Sequence, residues 1–134
     1  MSLKITLRDG EKMVINGAVV RSAGRTELHV ENHAAILRGR EIMSPDEATT
    51  PARKLYFACM MAYIQPEQIE LHQDQILILL GDLLDAFETA EAKGTCASFA
   101  RRIATGDFYR ALDDCRTLLD YEASVLARGS GLAA

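Results

Sequence analysis

Between two short runs of apolar and β-branched residues, Lys12–Ile15 and Ala18–Arg21, stands the dipeptide Asn16-Gly17. A two-residue hairpin loop of this kind needs positive φ at both central positions, which asparagine tolerates and glycine adopts freely. Such a turn leaves one register: Ile15 opposite Ala18, Val14 opposite Val19, Met13 opposite Val20 and Lys12 opposite Arg21. Side chains alternate across a strand, so Met13, Ile15, Ala18 and Val20 share one face. The other face carries Val14 and Val19, with Lys12 and Arg21 side by side. Like charges directly opposite one another weaken a sheet face by some tenths of a kcal/mol. An anion held between the two cations would relieve that, and a pair of separately solvated surface cations is the plainer alternative.

The same period of two extends on either side. Leu3, Ile5 and Leu7 alternate with Ser2, Lys4, Thr6 and Arg8, and Asp9-Gly10 turns the chain into the hairpin. Ser22-Ala23-Gly24 turns it again into Arg25–Glu31, where Thr26, Leu28 and Val30 face inward. A fifth short strand follows at Ala34–Arg38. Consecutive pairing of these strands gives an antiparallel meander over about residues 2–38. Lys4 and Arg8 then join Lys12 and Arg21 on one outward, cationic face. Val14 and Val19, exposed on it, suit self-association or a covering helix.

Gly39–Thr50 is a connector with a helix-start pattern at Ser44-Pro45-Asp46-Glu47, after which the apolar period becomes 3.6. Thr50 serves as an N-cap and Pro51 as a first helical residue. The helix 51–63 is apolar nearly all round. Pro66 opens a second helix to about Glu91, with Ile69, Ile76, Leu80, Leu83, Leu84 and Phe87 as its core stripe. Leu77 and Ile78 widen that stripe onto the polar side, as a partner surface or as packing on a second neighbour. Lys93-Gly94 is expected to end it, with Thr95 capping a short helix that contains Phe99 and Ile103. Thr105-Gly106-Asp107 stops that helix and caps a last one, Phe108 to about Arg128. These elements define one α+β domain over 1–128: a β part at 1–40, about four helices at 50–128, and a flexible tail at 129–134.

Charge divides the chain in the same place. The whole carries −4, yet the first forty residues hold seven cations against four anions, and the rest eight against fifteen. A polyanion partner is therefore expected for the first part only. No apolar run reaches the ~20 residues of a membrane span, and no secretory leader is recognisable. Three scattered cysteines, Cys59, Cys96 and Cys115, suit reduced, buried thiols in a cytoplasmic protein.

Catalytic chemistry has little to stand on. His29, His33 and His72 lack metal-ligand spacing with each other or with the cysteines. Gly10, Gly17 and Gly24 are single turn glycines and form no phosphate loop. A non-enzymatic binder without metal or cofactor is expected. RNA contact through the sheet would use Lys4, Arg8, Lys12, Arg21, Arg25, Arg38 and Arg40 on phosphates. All eight aromatic residues lie beyond residue 55, so no ring is available on the sheet to stack a base.

The stretches Gly10-Glu11-Lys12-x-Val14-Ile15-Asn16-Gly17-Ala18-Val19-Val20, Glu31-Asn32, Ile36-Leu37-Arg38 and Glu41-Ile42-Met43 resemble the FlbT family of flagellar proteins of alphaproteobacteria. Thr50-Pro51-Ala52-Arg53-x-x-Tyr56-Phe57-Ala58, Tyr109-x-Ala111-Leu112 and Leu118-x-x-Tyr121-Glu122 extend the resemblance from Leu3 to about Glu122. It implies a cytoplasmic post-transcriptional regulator, a repressor in some members and an activator in others. Such a protein associates with the 5′ untranslated region of flagellin mRNA and acts alongside flagellin and the secretion partner FlaF. The alternative is a protein-binding adaptor for flagellin or FlaF whose effect on mRNA is indirect. Leu77 and Ile78 are the expected partner contacts, and a homo-oligomer is allowed.

Overall fold

The Asn16-Gly17 reversal forms as its residues require, with φ of 49° and 87°. In the computed structural model, which describes residues 3–133 and their side chains through Ala127, the first unit (Met1–Met43) holds five strands. They are β1 (Leu3–Leu7), β2 (Lys12–Ile15), β3 (Ala18–Arg21), β4 (Thr26–Val30) and β5 (Ile36–Arg38). Ser2, placed at the head of the first strand by its alternation, lies outside the described residues. The β2–β3 register matches expectation at all four pairs, from Lys12 opposite Arg21 to Ile15 opposite Ala18.

The strand order does not follow the chain. β1 pairs antiparallel with β4, and β2 takes β3 on one side and β5 on the other, giving two small sheets in place of a meander. The cause lies at Arg8–Glu11. Glu11 N donates to Arg8 O (3.0 Å), and Gly10 sits at φ 79°, a conformation glycine adopts without strain. Gly10 N then reaches Ser22 O (2.7 Å) and Ser22 N reaches Glu11 O (2.9 Å). These bonds close the base of the β2–β3 hairpin and set it as an insertion between β1 and β4. Apolar residues of both sheets meet: Ile5, Leu7 and Met13 are buried, with Ile15, Leu28, Val30 and Ile36 packed against them.

Asn16 does a second task. Its backbone N donates to Ala35 O (2.8 Å) and its Oδ1 accepts from Ala35 N (2.9 Å), which delivers β5 to the open edge of β2. Val14 therefore lies on a central strand directly opposite Leu37, and both are buried. Its expected exposure is overturned; Val19, on the edge strand, is 69% exposed.

The second unit (Ser44–Ala134) is helical: α1 (Pro51–Ile64), α2 (Ile69–Ala86), α3 (Ala90–Ala104) and α4 (Phe108–Ala133). The helix-start pattern at Ser44–Glu47 forms a short 3₁₀ turn, Pro45–Glu47, with a capping box in which Ser44 N and Oγ each donate to Glu47 Oε1 at 3.0 Å. The α2/α3 boundary falls earlier than expected. Phe87 turns extended (φ −81°, ψ 134°) and buries its ring edge-on to Tyr121, with centroids 6.2 Å apart. Thr89 then caps α3 by accepting from Ala92 N at 3.1 Å. Gly94 and Thr95 are interior to α3, where Thr95 Oγ1 donates back to Glu91 O (3.1 Å). Asp107 caps α4 as anticipated, its Oδ1 accepting from Arg110 N (3.3 Å).

The helical core contains Leu55, Tyr56, Ile76, Phe99, Leu112 and Leu118, with Cys59, Cys96 and Cys115 buried as free thiols. Burial pushes the Cys115 thiol well above its ordinary value, with Cys59 adding to the shift, and raises Cys96 as well. Leu84, placed in the core stripe by its spacing, is 38% exposed instead. The tail expected at 129–134 falls on positions whose side chains lie outside the described residues. Among the described residues, no helix is long and apolar enough to cross a membrane.

Candidate nucleic-acid interface

The cations singled out in the sequence all belong to the first unit, but they do not share one face. Residues paired across a ladder point the same way, so Lys12 and Arg21 lie with Val14, Val19 and Leu37. Arg38 pairs with Met13 and therefore projects from the reverse side of that sheet. Lys4 belongs to the other sheet, where its Nζ meets Glu27 Oε1 at 3.2 Å and His29 Nε2 stands 3.4 Å from the same oxygen. Arg40 is exposed in the 3₁₀ turn Gly39–Glu41. The single cationic face inferred from a meander is thus replaced by two groups. Its failure follows from the strand order: β1, with Lys4, pairs with β4 in one sheet, while Lys12 and Arg21 face each other across the β2–β3 ladder of the other.

One group is Lys12 with Arg21. Both are exposed, directly opposite, and free of any ion pair among the described residues. The other is a cleft of about 860 Å³ lined by Thr6, Arg8, Asp9, Gly10, Glu11, Arg25 and Arg38. Its construction can be followed bond by bond. Asp9 Oδ1 accepts from Gly24 N (2.7 Å), pinning the Ser22–Arg25 turn to the Arg8–Glu11 turn and bringing Arg25 to the cleft beside Arg8. Ser22, buried, fixes the second turn by donating to Gly24 O, and its Oγ is 2.8 Å from Thr26 Oγ1. Glu11 Oε1 accepts from Arg8 N (3.0 Å), while Glu11 Oε2 receives Arg38 Nη2 at 3.3 Å. Arg38 Nη2 also donates to Thr6 O (2.9 Å), so one guanidinium ties β5 to β1 across the two sheets.

The carboxylates in the cleft are therefore occupied by the fold itself. The Arg8 backbone N–H, with the Arg38 guanidinium next to it, holds the Glu11 carboxyl below the usual glutamate range. Arg25 has no ion pair among the described residues, and the Arg38 Nε is buried with no hydrogen-bond partner. A cleft with three guanidiniums, open to solvent and lacking a matching number of anions, is suited to a phosphate or carboxylate oxygen. Asp9, Glu11 and Thr6, which build it, carried no signal in the sequence beyond Asp9-Gly10 as a turn. Apart from the Arg8 backbone N–H on Glu11, their partners stand 15 to 32 residues away.

Among the described residues, no group of three or more His, Cys, Asp or Glu side chains could hold a metal ion. A small β unit with cationic recesses is followed by a helical unit of acidic balance.

Comparison with known proteins identifies the chain's family. The family described as "Flagellar protein FlbT" matches residues 3–126. A Caulobacter vibrioides (strain CB 15) relative named "Flagellum biosynthesis repressor protein FlbT" is 35% identical, covering 100% of this chain and 96% of its own. Relatives described as probable flagellum biosynthesis repressors are 36% identical in Caulobacter sp. strain K31 (91% of this chain, 94% of the relative) and 33% in Agrobacterium fabrum strain C58 (94% and 85%). The chain belongs to the FlbT family of flagellar proteins. No solved structure matches it.

Proposed function

We propose that this chain is a cytoplasmic repressor of flagellin synthesis that acts by holding the 5′ untranslated region of flagellin mRNA against its β unit. The repressor names of its relatives support the regulatory half of that reading. The observation that carries the RNA half is the cleft of Arg8, Arg25 and Arg38, whose carboxylates are engaged by backbone N–H groups and by Arg38. Phosphates of a looped or single strand lie in it and against the Lys12/Arg21 pair. Arg38 positions the cleft walls as well as facing the ligand. Lys4, engaged by Glu27, and Arg40, in its turn, stand outside both groups.

With five cations on phosphates, the log–log salt slope for a flagellin leader RNA is about −3.5, from about −0.7 per contact on a single strand. Replacing Arg8 and Arg25 by Ala reduces that slope by about 1.4 units, and leaves the melting temperature nearly unchanged because both are exposed. A flat salt response, or RNA binding indifferent to both substitutions and to Lys12→Glu with Arg21→Glu, refutes the assignment.

A second reading, an adaptor for flagellin or FlaF with an indirect effect on mRNA, draws on one observation. The β unit has no aromatic residue, so bases find no ring to stack on. Tight flagellin or FlaF binding without RNA affinity decides for it.

A further inference from the structure

The helical unit carries a surface of a different character. Between α2 and α3 runs a groove of about 280 Å³, walled by Ile76, Leu77 and Leu80 on one side and by Phe99, Ala100 and Ile103 on the other. Its α2 rim continues outward as an apolar strip: Leu77 is 61% and Ile78 67% exposed, and Leu71 and Leu84 are exposed too. Gly81 sits within this strip, three or four positions from Leu77, Ile78 and Leu84, and nothing within 4 Å would meet a Cβ there. The fold itself does not need glycine at a mid-helix position that costs helix stability. Without a side chain there, another backbone has room for close approach.

Charge says what that backbone carries. From Leu55 to Ala92 there is no Lys or Arg, while Glu70, Asp74, Asp82 and Asp85 are the only formal charges on α2. Asp74 itself lines the groove. The α3 wall is different, with Lys93 in helical line with Ala100 and Ala104, and Arg101 on its shoulder. Arg102 is taken up by Asp114 at 3.5 Å. Both walls are helix sides with no strand edge to extend, which fits an incoming helix laid along them. A second copy of α2 would bring aspartates against aspartates.

We propose that the α2/α3 groove is a docking site for an amphipathic helix of a partner protein, its apolar stripe on Leu77 and Ile78 and its Lys/Arg flank along the α2 acids. This site is independent of the RNA reading, since none of its residues belongs to the β unit.

The probe is a fluorescein-labelled, 18-residue helical peptide of Leu and Lys, with a Leu/Glu peptide of the same apolar pattern as its counterpart, titrated against the full chain by anisotropy. The Leu/Lys peptide binds and the Leu/Glu peptide does not. Leu77→Asp with Ile78→Asp weakens binding at least tenfold although it adds negative charge, which separates groove docking from general attraction. Asp74→Lys with Asp85→Lys weakens it comparably, whereas Asp120→Lys on α4 does not. Gly81→Ala raises the melting temperature and lowers peptide affinity. Equal binding of both peptides, or affinity unmoved by Leu77→Asp with Ile78→Asp, overturns the proposal. So does concentration-dependent dimerisation that these two substitutions abolish, which would assign the groove to a second copy.

Discussion

Glu122 offers the sharpest test of how the helical unit is held together. The start of α1 leaves two early backbone N–H groups to satisfy. Pro51 has no N–H, Arg53 N donates to Thr50 Oγ1 (3.3 Å), and Ala52 N donates to Glu122 Oε2 (2.8 Å) from α4. Thr50 Oγ1 in turn donates to the other carboxylate oxygen, so a single buried side chain from 70 residues away completes the cap. Removing it by Glu122→Ala leaves the Ala52 N–H, at a residue only 1% exposed, without an acceptor. That omission costs about 1–3 kcal/mol. Loss of the negative charge at a helix N-terminus adds about 0.3–2 kcal/mol, so roughly 1.3–5 kcal/mol is expected in all. Glu122→Gln keeps an oxygen for Ala52 and forfeits the charge, for about 0.5–2 kcal/mol. Urea unfolding followed by helical circular dichroism measures both. Thr50→Val alone, and paired with Glu122→Ala, closes a double-mutant cycle with an expected coupling of about 1 kcal/mol or more. An Ala variant within about 0.5 kcal/mol of the parent chain, the range of an ordinary surface substitution, refutes the reasoning.

Two further outcomes follow from the titrating groups. Glu11 has its folded value below the ordinary 4.5, so the stability it contributes is present above that pH and is lost as pH falls through the folded value; carboxyl NMR should show the depressed titration, and Arg38→Ala should move it back upward. Cys115 and Cys96 have raised values, so their contribution is intact below the ordinary 9.0 and declines as pH rises above it, where only the unfolded thiols ionise. A thiol reagent at pH 8 should therefore leave Cys59, Cys96 and Cys115 unmodified in the native chain and modify all three in denaturant, and rapid native labelling would contradict their burial.

What the sequence disclosed, it disclosed through short-range chemistry. The Asn16-Gly17 turn with the β2–β3 register it sets, the Arg53 N–H on Thr50 and the Asp107 cap are all local, and each forms as read. The pairing of β1 with β4 depends on bonds joining Gly10 to Ser22 and Asp9 to Gly24, which periodicity does not encode. The α2/α3 boundary was obscured by a stronger-looking signal. Lys93-Gly94 has the composition of a helix end, but Phe87 and Thr89 stop α2 earlier because Phe87 has a buried place against Tyr121. In the candidate interface, residue types were legible and their grouping was not. Whether Arg38 shares a face with Lys12 is decided by one strand's register, and a shift of one residue reverses the answer.

The division of charge acquires a physical meaning once the two proposed sites are considered together. An RNA backbone drawn to Arg8, Arg25 and the Lys12/Arg21 pair is repelled by α2, where Glu70, Asp74, Asp82 and Asp85 stand without a cation on the same helix. A cationic helix drawn to α2 is repelled from the arginine cleft for the same reason. Each proposed partner would thus be disfavoured at the other's site by sign alone. Raised salt weakens the RNA steeply through its several phosphate contacts. It weakens the helix less, because apolar contact at Leu77 and Ile78 is not screened. Intermediate salt should therefore strip RNA from the chain while the helix remains bound. A chain that loses both in parallel would show that the apolar strip contributes little and that the two surfaces are one electrostatic system.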